Sequence, residues 1–361
     1  MSQENTKLLI AASGTGGHVF PAIAVAQKLS QYQIEWLGVP DRLEFQLVPQ
    51  AYPLHLIRVG GFQGKFSLGT LKTITGLTAS IFQVRKLLKQ GKFDAVFSTG
   101  GYIAAPAILA GYSLGLPVFL HESNAIPGKV TRWLSRFCTK VAVGFVTTSK
   151  YLPDAETIYL GTPCRQQFLS PQPLDLPIPA NHPLIVVVGG SQGAVALNQM
   201  IRDCVDTWLD AGVTIVHIVG GANAPSASST HPQYIVLPFY ENMAGLLQRA
   251  DLAISRAGAA TLNELMITRT PSILIPYPYA AEDHQCYNAN VLATADAALL
   301  FRQENLTAQF LMAEVLNLLQ NPHRMQMMAS NTSSLGVINS ADLLADLITE
   351  SVNTRSNSAV A

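Results

Sequence analysis

The segment Ile10-Ala11-Ala12-Ser13-Gly14-Thr15-Gly16-Gly17-His18-Val19-Phe20-Pro21 constrains this chain most, because an apolar strand runs straight into a glycine-rich turn and then into a helix. Glycines let the backbone approach an anion closely, and the free amides and positive dipole end of the following helix then face its charge. His18 stands at that helix entrance. Val19 occupies the place where a dinucleotide fingerprint has its third glycine, and no Gly-Lys-Ser/Thr follows, so neither a dinucleotide motif nor a P-loop is present. A tight strand-to-helix turn without any ligand would use the same residues.

At 361 residues the chain has room for about two domains. Its 23 basic and 23 acidic residues cancel to a net charge of zero, which argues against electrostatic binding to nucleic acid. A hydrophobic content of 48% raises the question of a membrane span. The longest apolar run, Ile103 to Leu120, is interrupted by Pro106, Gly111, Gly115 and Pro117, which reads as a buried helix, turn and strand. Met1-Ser2-Gln3-Glu4-Asn5 lacks the basic-then-apolar layout of a secretory signal, so a cytoplasmic protein is expected. Cys138, Cys164, Cys204 and Cys286 are scattered without C-x-x-C spacing, indicating neither a zinc site nor a disulfide framework.

Apolar strands at Lys7–Ala12, Gln33–Leu37 and Leu54–Val59 alternate with helix-length segments, the first from about Pro21 to Ser30, and predict a parallel α/β sheet. From Phe62 to Lys89, Phe66, Leu71, Ile74, Leu77, Ile81 and Phe82 are interleaved with Lys65, Lys72, Arg85, Lys86 and Lys89, with no acid. Such a face can lie on an anionic membrane; an ordinary amphipathic helix with a solvated basic side has the same pattern. The strand Phe93–Ser98 opens into Thr99-Gly100-Gly101-Tyr102, a second glycine turn at a strand's carboxyl end, where ligands of open α/β sheets gather. Pro117–Leu120 runs into His121-Glu122-Ser123-Asn124, a carboxylate and an amide suited to sugar hydroxyls or, equally, a helix cap.

The first domain is expected to end near Gly161-Thr162-Pro163, and the proline-rich stretch from Ser170 to Pro183 reads as a linker or surface loop. A second cycle then begins. Leu184–Val188, Gly189-Gly190-Ser191-Gln192-Gly193-Ala194 and a helix through Met200 repeat the opening, and Thr214–Val219, Tyr234–Pro238 and Ile273–Pro276 supply further strands. Asp94, Ser98 and Pro117 are echoed by Asp251, Ser255 and Pro271, each serine four residues after its aspartate. Ala257-Gly258-Ala259-Ala260-Thr261-Leu262-Asn263-Glu264 begins another helix with small residues, again an anion-friendly terminus. Two similar halves facing across a cleft, residues 1–162 and 163–339, are expected, with a final helix from about Ser340 to Val352 crossing back to the first and a disordered tail from Thr354 to Ala361.

Gly14-Thr15-Gly16-Gly17-His18, Gly100-Gly101-Tyr102, His121-Glu122-Ser123-Asn124, Gly189-Gly190-Ser191-Gln192-Gly193-Ala194, Arg256-Ala257-Gly258-Ala259 and His284-Gln285 with Asn288-Ala289 together resemble one family, in order along nearly the whole chain. It is the MurG family, which transfers N-acetylglucosamine from its UDP donor to undecaprenyl-pyrophosphoryl-N-acetylmuramyl-pentapeptide in bacterial peptidoglycan synthesis. The resemblance implies an α/β fold of GT-B architecture, two Rossmann-like parallel-sheet domains, the N-terminal one taking the lipid-linked acceptor and the C-terminal one the UDP-sugar. It places Arg165, Phe239 and Tyr240 around uracil, Glu264 on the ribose, and Ser191 with Ala259, Ala260, Thr261, Leu262, Asn263 and Glu264 at the diphosphate. Asn124 and Gln285 would contact the sugar, joined by Thr15, Gly16 and Gly17, while Gly14, Gly100, Gly101 and Tyr102 would cradle the acceptor pyrophosphate. It also implies a peripheral protein on the cytoplasmic face of the bacterial inner membrane, docking through Phe62–Lys89, with other cell-wall synthesis proteins as partners and no cofactor. Thr162, Thr131 and Ser123 depart from the family, which usually has Asn, Asn and Gln there.

Forming a β link from an α-linked UDP-sugar requires inversion, hence one base and one stabiliser of the leaving group. His18 is the expected base, since a neighbouring helix N-terminus disfavours the imidazolium, with Glu122 second or orienting the acceptor or His18. A histidine that merely caps the helix or binds pyrophosphate is the competing reading. The chain has no Asp-x-Asp pair for a divalent ion, so backbone amides at Gly190-Ser191 and Gly258-Ala259 are expected to receive the departing charge. A UDP-sugar epimerase of the same fold, a nicotinamide dehydrogenase, a nucleotide-sugar-binding recruiting subunit and a diacylglycerol glycosyltransferase are the alternatives. The dehydrogenase is disfavoured by Leu37-Gly38-Val39, which lacks the ribose-binding acid at the end of the second strand.

Overall fold

Short, almost wholly apolar strands are stable when a parallel sheet is covered by helices on both faces, and the chain builds two such sheets. The computed structural model describes residues 6–40, 42, 44–59, 68–190, 194–221 and 231–358, side chains excepted at 68–74 and 356–358. It divides into two compact units, Met1–Arg165 with Asn339–Ala361, and Gln166–Ile338. Arg165 thus belongs with the first unit, just beyond the boundary expected at residue 162.

The first unit contains β1 (Lys7–Ala11), α1 (Gly16–Lys28), β2 (Gln33–Gly38), α2 (Glu44–Leu47), β3 (Leu54–Leu56), α3 (Leu68–Gly91), β4 (Ala95–Ser98), α4 (Ala104–Ser113), β5 (Val118–Glu122), α5 (Lys129–Leu134), β6 (Lys140–Val143) and β7 (Thr157–Tyr159). Its sheet is all parallel in the order β3-β2-β1-β4-β5-β6-β7. The second unit contains β8 (Leu184–Val188), α6 (Val195–Asp210), β9 (Thr214–Ile218), β10 (Tyr234–Leu237), α7 (Met243–Arg249), β11 (Leu252–Ser255), α8 (Ala259–Thr268), β12 (Ser272–Leu274), α9 (His284–Thr294), β13 (Ala298–Leu300), α10 (Ala308–Leu319) and α11 (Pro322–Ser334). Its parallel order is β10-β9-β8-β11-β12-β13. In each sheet the strand order reverses once, between β1 and β4 and between β8 and β11, and a ligand crevice forms beyond the carboxyl ends at such a switch point.

The echo between the halves has a structural cause. Asp94 accepts a hydrogen bond from the Lys7 amide and donates its own amide to the Lys7 carbonyl, locking the start of β4 to that of β1. Asp251 does the same with Leu184 between β11 and β8. The two prolines also match: Pro117 accepts from the Val96 amide and Pro271 from the Ala253 amide.

The last helix, α12 (Ser340–Ser358), returns to the first unit, where Leu344, Ile348 and Val352 are buried with Val19, Ala22, Val25 and Ala26 of α1. Lys28 and Asp342 pair at 2.8 Å across the same two helices. The helix runs through Ser358, so the expectation of a disordered tail from Thr354 is corrected: the Thr354 hydroxyl donates to the Glu350 carbonyl within the continuing helix.

Two further expectations change. α1 starts at Gly16, so the glycine turn is itself the first turn of the helix and Pro21 lies inside it rather than at its start. The strand expected at Leu54–Val59 stops at Leu56. The stretch from Ser170 to Pro183 is a surface loop, as expected, and is fastened to α7: the Gln172 amide donates to Gln248 Oε1, Asn242 donates to the Pro173 carbonyl and Arg249 to those of Pro179, Ala180 and His182.

Candidate active site

At the β1/β4 switch point, Thr15 is the extended N-cap of α1, with no side-chain cap and no acid in the first turn, so the amides of Thr15, Gly16 and Gly17 stand at an uncapped helix start. Gly14 reaches that start at φ +102°, a conformation that favours glycine. The His18 amide donates back to the Thr15 carbonyl, so the anion-facing donors precede it.

His18 is held at two points by Thr99, the first residue after β4. The Thr99 carbonyl lies 2.6 Å from His18 Nδ1, and the Thr99 hydroxyl donates to the His18 carbonyl at 2.9 Å. Because a carbonyl only accepts, Nδ1 carries a hydrogen, and in the neutral ring the lone pair then lies on Nε2, the tautomer a general base requires. Gly100 and Gly101, at φ +90° and +73°, press against the ring: a Cβ on either would lie 3.6 Å from it, on Cε1 and Nε2 respectively. Tyr102, half exposed, completes the second loop.

Glu122 ends β5 and is only 5% exposed. Its Oε1 accepts from the amide and side-chain nitrogens of Asn124, at 3.0 and 2.9 Å, and its Oε2 from the Gly128 amide and the Thr131 hydroxyl, at 3.1 and 2.7 Å. All four of these hydrogen bonds lie within its own loop, so Glu122 organises residues 122–131. Thr131, where the family usually has Asn, is one of its donors. The fully buried His121 bridges the Gly161 carbonyl and the Ser123 hydroxyl, and burial pushes its pKa down. Asn124 is consequently fixed at the mouth of β5. Arg165 lies with its guanidinium 4.4 Å from the centre of the Phe20 ring on α1.

In the second unit, Gly190 leaves β8 at φ +95°; Ser191 lies outside the described residues. On the other side of the switch point α8 begins uncapped at Gly258, presenting the amides of Ala259, Ala260 and Thr261. Leu262 and Asn263 do not join that donor set: the Leu262 amide closes onto the Gly258 carbonyl, and both side chains are buried. Glu264 remains partly exposed on the same helix. Gln285 Oε1 accepts from the amides of Ala257 and Tyr277, at 3.2 and 2.9 Å, so the group it can present is its Nε2 amide. Phe239 is 69% exposed after β10. Its neighbour Tyr240 donates to Asp175, and burial with that carboxylate pushes the phenol up to about 12.

Sequence reading gave no role to one motif residue, Arg256, and missed another residue, Glu44. Arg256, 7% exposed, donates to the carbonyls of Ile275 and Pro276 and to Gln303 Oε1, all neutral, and so brings a positive charge to the mouth of β11; burial lowers its pKa. Glu44 is fully buried beneath the first glycine loop. Among the described residues no group of three or more His, Cys, Asp or Glu could hold a metal ion.

Two Rossmann-like parallel sheets, each with an uncapped helix start at its switch point and one with a tautomer-fixed histidine, define a glycosyltransferase of the GT-B type. Residues 8–143 match the Glycosyltransferase family 28 N-terminal domain and residues 184–344 its C-terminal domain. A relative from Gloeothece citriformis, named UDP-N-acetylglucosamine–N-acetylmuramyl-(pentapeptide) pyrophosphoryl-undecaprenol N-acetylglucosamine transferase, is 61% identical over 96% of this chain and 97% of its own. The crystal structure of MurG from Acinetobacter baumannii superposes with a TM-score of 0.77 at 32% identity, covering 96% of this chain and 99% of that one. The calicheamicin glycosyltransferase CalG4, at 14% identity, shares the fold with a TM-score of 0.71 over 98% of this chain and 99% of its own. The chain belongs to the MurG family within glycosyltransferase family 28.

Proposed function

We propose that the chain transfers N-acetylglucosamine from UDP-N-acetylglucosamine to the muramyl C4 hydroxyl of undecaprenyl-pyrophosphoryl-N-acetylmuramyl-pentapeptide, with inversion and without a metal ion. The observation that carries the reading is the Thr99 clamp, which occupies His18 Nδ1 and turns Nε2 to the acceptor side, beside two glycine loops and an uncapped helix start. The name and 61% identity of the Gloeothece relative support the choice of donor and acceptor.

In this reading the first unit takes the acceptor, its pyrophosphate on the amides of Thr15, Gly16 and Gly17 and beside Gly100, Gly101 and Tyr102. His18 Nε2 removes the proton of the attacking hydroxyl as the new bond forms at the anomeric carbon. The bond to UDP breaks, and its electron pair leaves on the diphosphate, which the Ala259, Ala260 and Thr261 amides receive with the charge of Arg256 behind them. The Gln285 amide and Asn124 contact the sugar, Glu264 the ribose, and Arg165, Phe239 and Tyr240 the uracil; Ser191 joins the diphosphate.

The protein acts on the cytoplasmic face of the membrane as a peripheral enzyme serving cell-wall growth. No helix among the described residues is long and apolar enough to cross a membrane. The described part of α3 exposes Phe82 to 67% on a helix that also carries Arg85, Lys86 and Lys89, and Trp133 of α5 is 65% exposed, a mixture suited to an anionic interface. The test gives the purified protein labelled UDP-N-acetylglucosamine with either undecaprenyl-pyrophosphoryl-muramyl-pentapeptide or diacylglycerol. Label in the first is expected; label in diacylglycerol alone would overturn the reading.

A further inference from the structure

A carboxylate with no part in the chemistry above lies beneath the first glycine loop. Glu44 opens α2, and its Oε1 accepts from the Ser13 hydroxyl at 2.5 Å and the Val39 amide at 2.7 Å, while Oε2 accepts from the Gly14 amide at 3.3 Å. Ser13 and Gly14 follow β1 and Val39 follows β2, so one carboxylate ties together the carboxyl ends of two neighbouring strands. A carboxyl group with no solvent exposure needs hydrogen bonds in place of hydration, and these three donors supply them. Gly38 makes the room: a Cβ there would lie 2.9 Å from Glu44 Cγ and 3.1 Å from Oε1. The end of β2 is where a dinucleotide-binding sheet carries its ribose-binding acid. Here an acid reaches that place from a later helix and turns onto the loop instead.

We propose that Glu44 is a positioning residue for the acceptor site. By drawing the Gly14 amide inward it fixes Gly14 at φ +102°, and it thereby leaves the amides of Thr15, Gly16 and Gly17 as the loop's donors and sets where α1 begins, with His18 in its first turn. Gly14 then contributes its conformation to the acceptor site and not its N–H. The inference rests on the reading that this loop holds the acceptor's pyrophosphate.

The experiment compares wild type with Glu44→Gln, which keeps the shape but puts an NH2 group against one of the donors, and with Ser13→Ala, which removes one donor and leaves the carboxylate. For Glu44→Gln, kcat/KM for the lipid-linked acceptor is expected to fall by about 10- to 100-fold, the scale set by small misplacements of reacting groups, with the KM for UDP-N-acetylglucosamine unchanged. Amide hydrogen exchange over residues 13–17 should speed up in the free protein, and Ser13→Ala should show the same pattern more weakly. Wild-type acceptor kinetics and unchanged exchange in Glu44→Gln would overturn the proposal, as would an equal rise in both KM values, which marks general loosening. If wild type transfers nothing to the lipid-linked acceptor, the reading of the reaction fails, and the exchange over residues 13–17 still decides whether Glu44 holds the loop.

Discussion

His217 makes the stability of the second unit depend on pH in a way that can be worked out from its surroundings. It lies on β9 with no solvent exposure, its Nε2 3.1 Å from Asn198 Oδ1 and its Nδ1 3.0 Å from the Tyr234 hydroxyl. Asn198 in turn donates to the Val219 carbonyl, so its Oδ1 is left to accept from Nε2–H while Nδ1 accepts from Tyr234. Burial, with Arg202 nearby, pushes the imidazole down from 6.5 to about 4. The neutral ring is thus the native form, and the unfolded chain takes up a proton first as pH falls. Stability is fully present above pH 6.5 and is lost as pH drops through 6.5 towards 4. At 1.36 kcal/mol per unit the whole effect is about 3 kcal/mol, of which about 2 kcal/mol goes between pH 7 and pH 5.

The assay is urea unfolding at a series of pH values, read at Trp208, the buried tryptophan of α6, by fluorine NMR of 5-fluorotryptophan protein. His217→Gln lacks the titration, so its loss of stability between pH 7 and 5 should be smaller than that of wild type by about 2 kcal/mol. Equal losses in the two proteins would refute the reasoning.

His18→Gln should lower kcat by about 100- to 10,000-fold with the donor KM little changed, and near-normal kcat in steady-state assays would remove the base assignment. Glu122→Gln should destabilise the first unit by about 2 kcal/mol, through lost charge-assisted hydrogen bonds in the 122–131 loop, while leaving the acidic limb of the kcat–pH profile in place; a displaced limb would restore Glu122 as a titrating participant. EDTA should leave turnover intact if, as proposed, backbone amides at the start of α8 receive the departing charge; activity lost to EDTA and regained with magnesium would show otherwise.

The parts legible in the sequence are those where local chemistry dictates the backbone. Apolar runs entering Gly14, Gly100 and Gly190 announced strand ends because those positions need positive φ, which glycine adopts without strain. The repeat of Asp94 in Asp251 was legible because both do the same job at the same spacing. Strands β6, β7 and β13 have only three or four residues each, too few for periodicity to register, and the sheet neighbour rather than the local pattern makes them strands. Glu44 was illegible for a related reason: its partner Ser13 is 31 residues away, and nothing in Arg42-Leu43-Glu44-Phe45 signals a carboxylate turning inward. Glu122 read as a second candidate base, or as a residue orienting the acceptor or His18, because a sequence shows a carboxylate at a strand mouth but not the four hydrogen bonds it accepts.

The return of α12 to the first unit has a consequence for biosynthesis. Val19 and Val25 of α1 are made long before Leu344, Ile348 and Val352, which pack in the same cluster. On the ribosome the nascent first unit must therefore wait with part of its apolar surface uncovered while the whole of residues 166–338 emerges and can fold. Without Leu344, Ile348 and Val352 that surface has no cover, so the first unit completes its core only when α12 has been made.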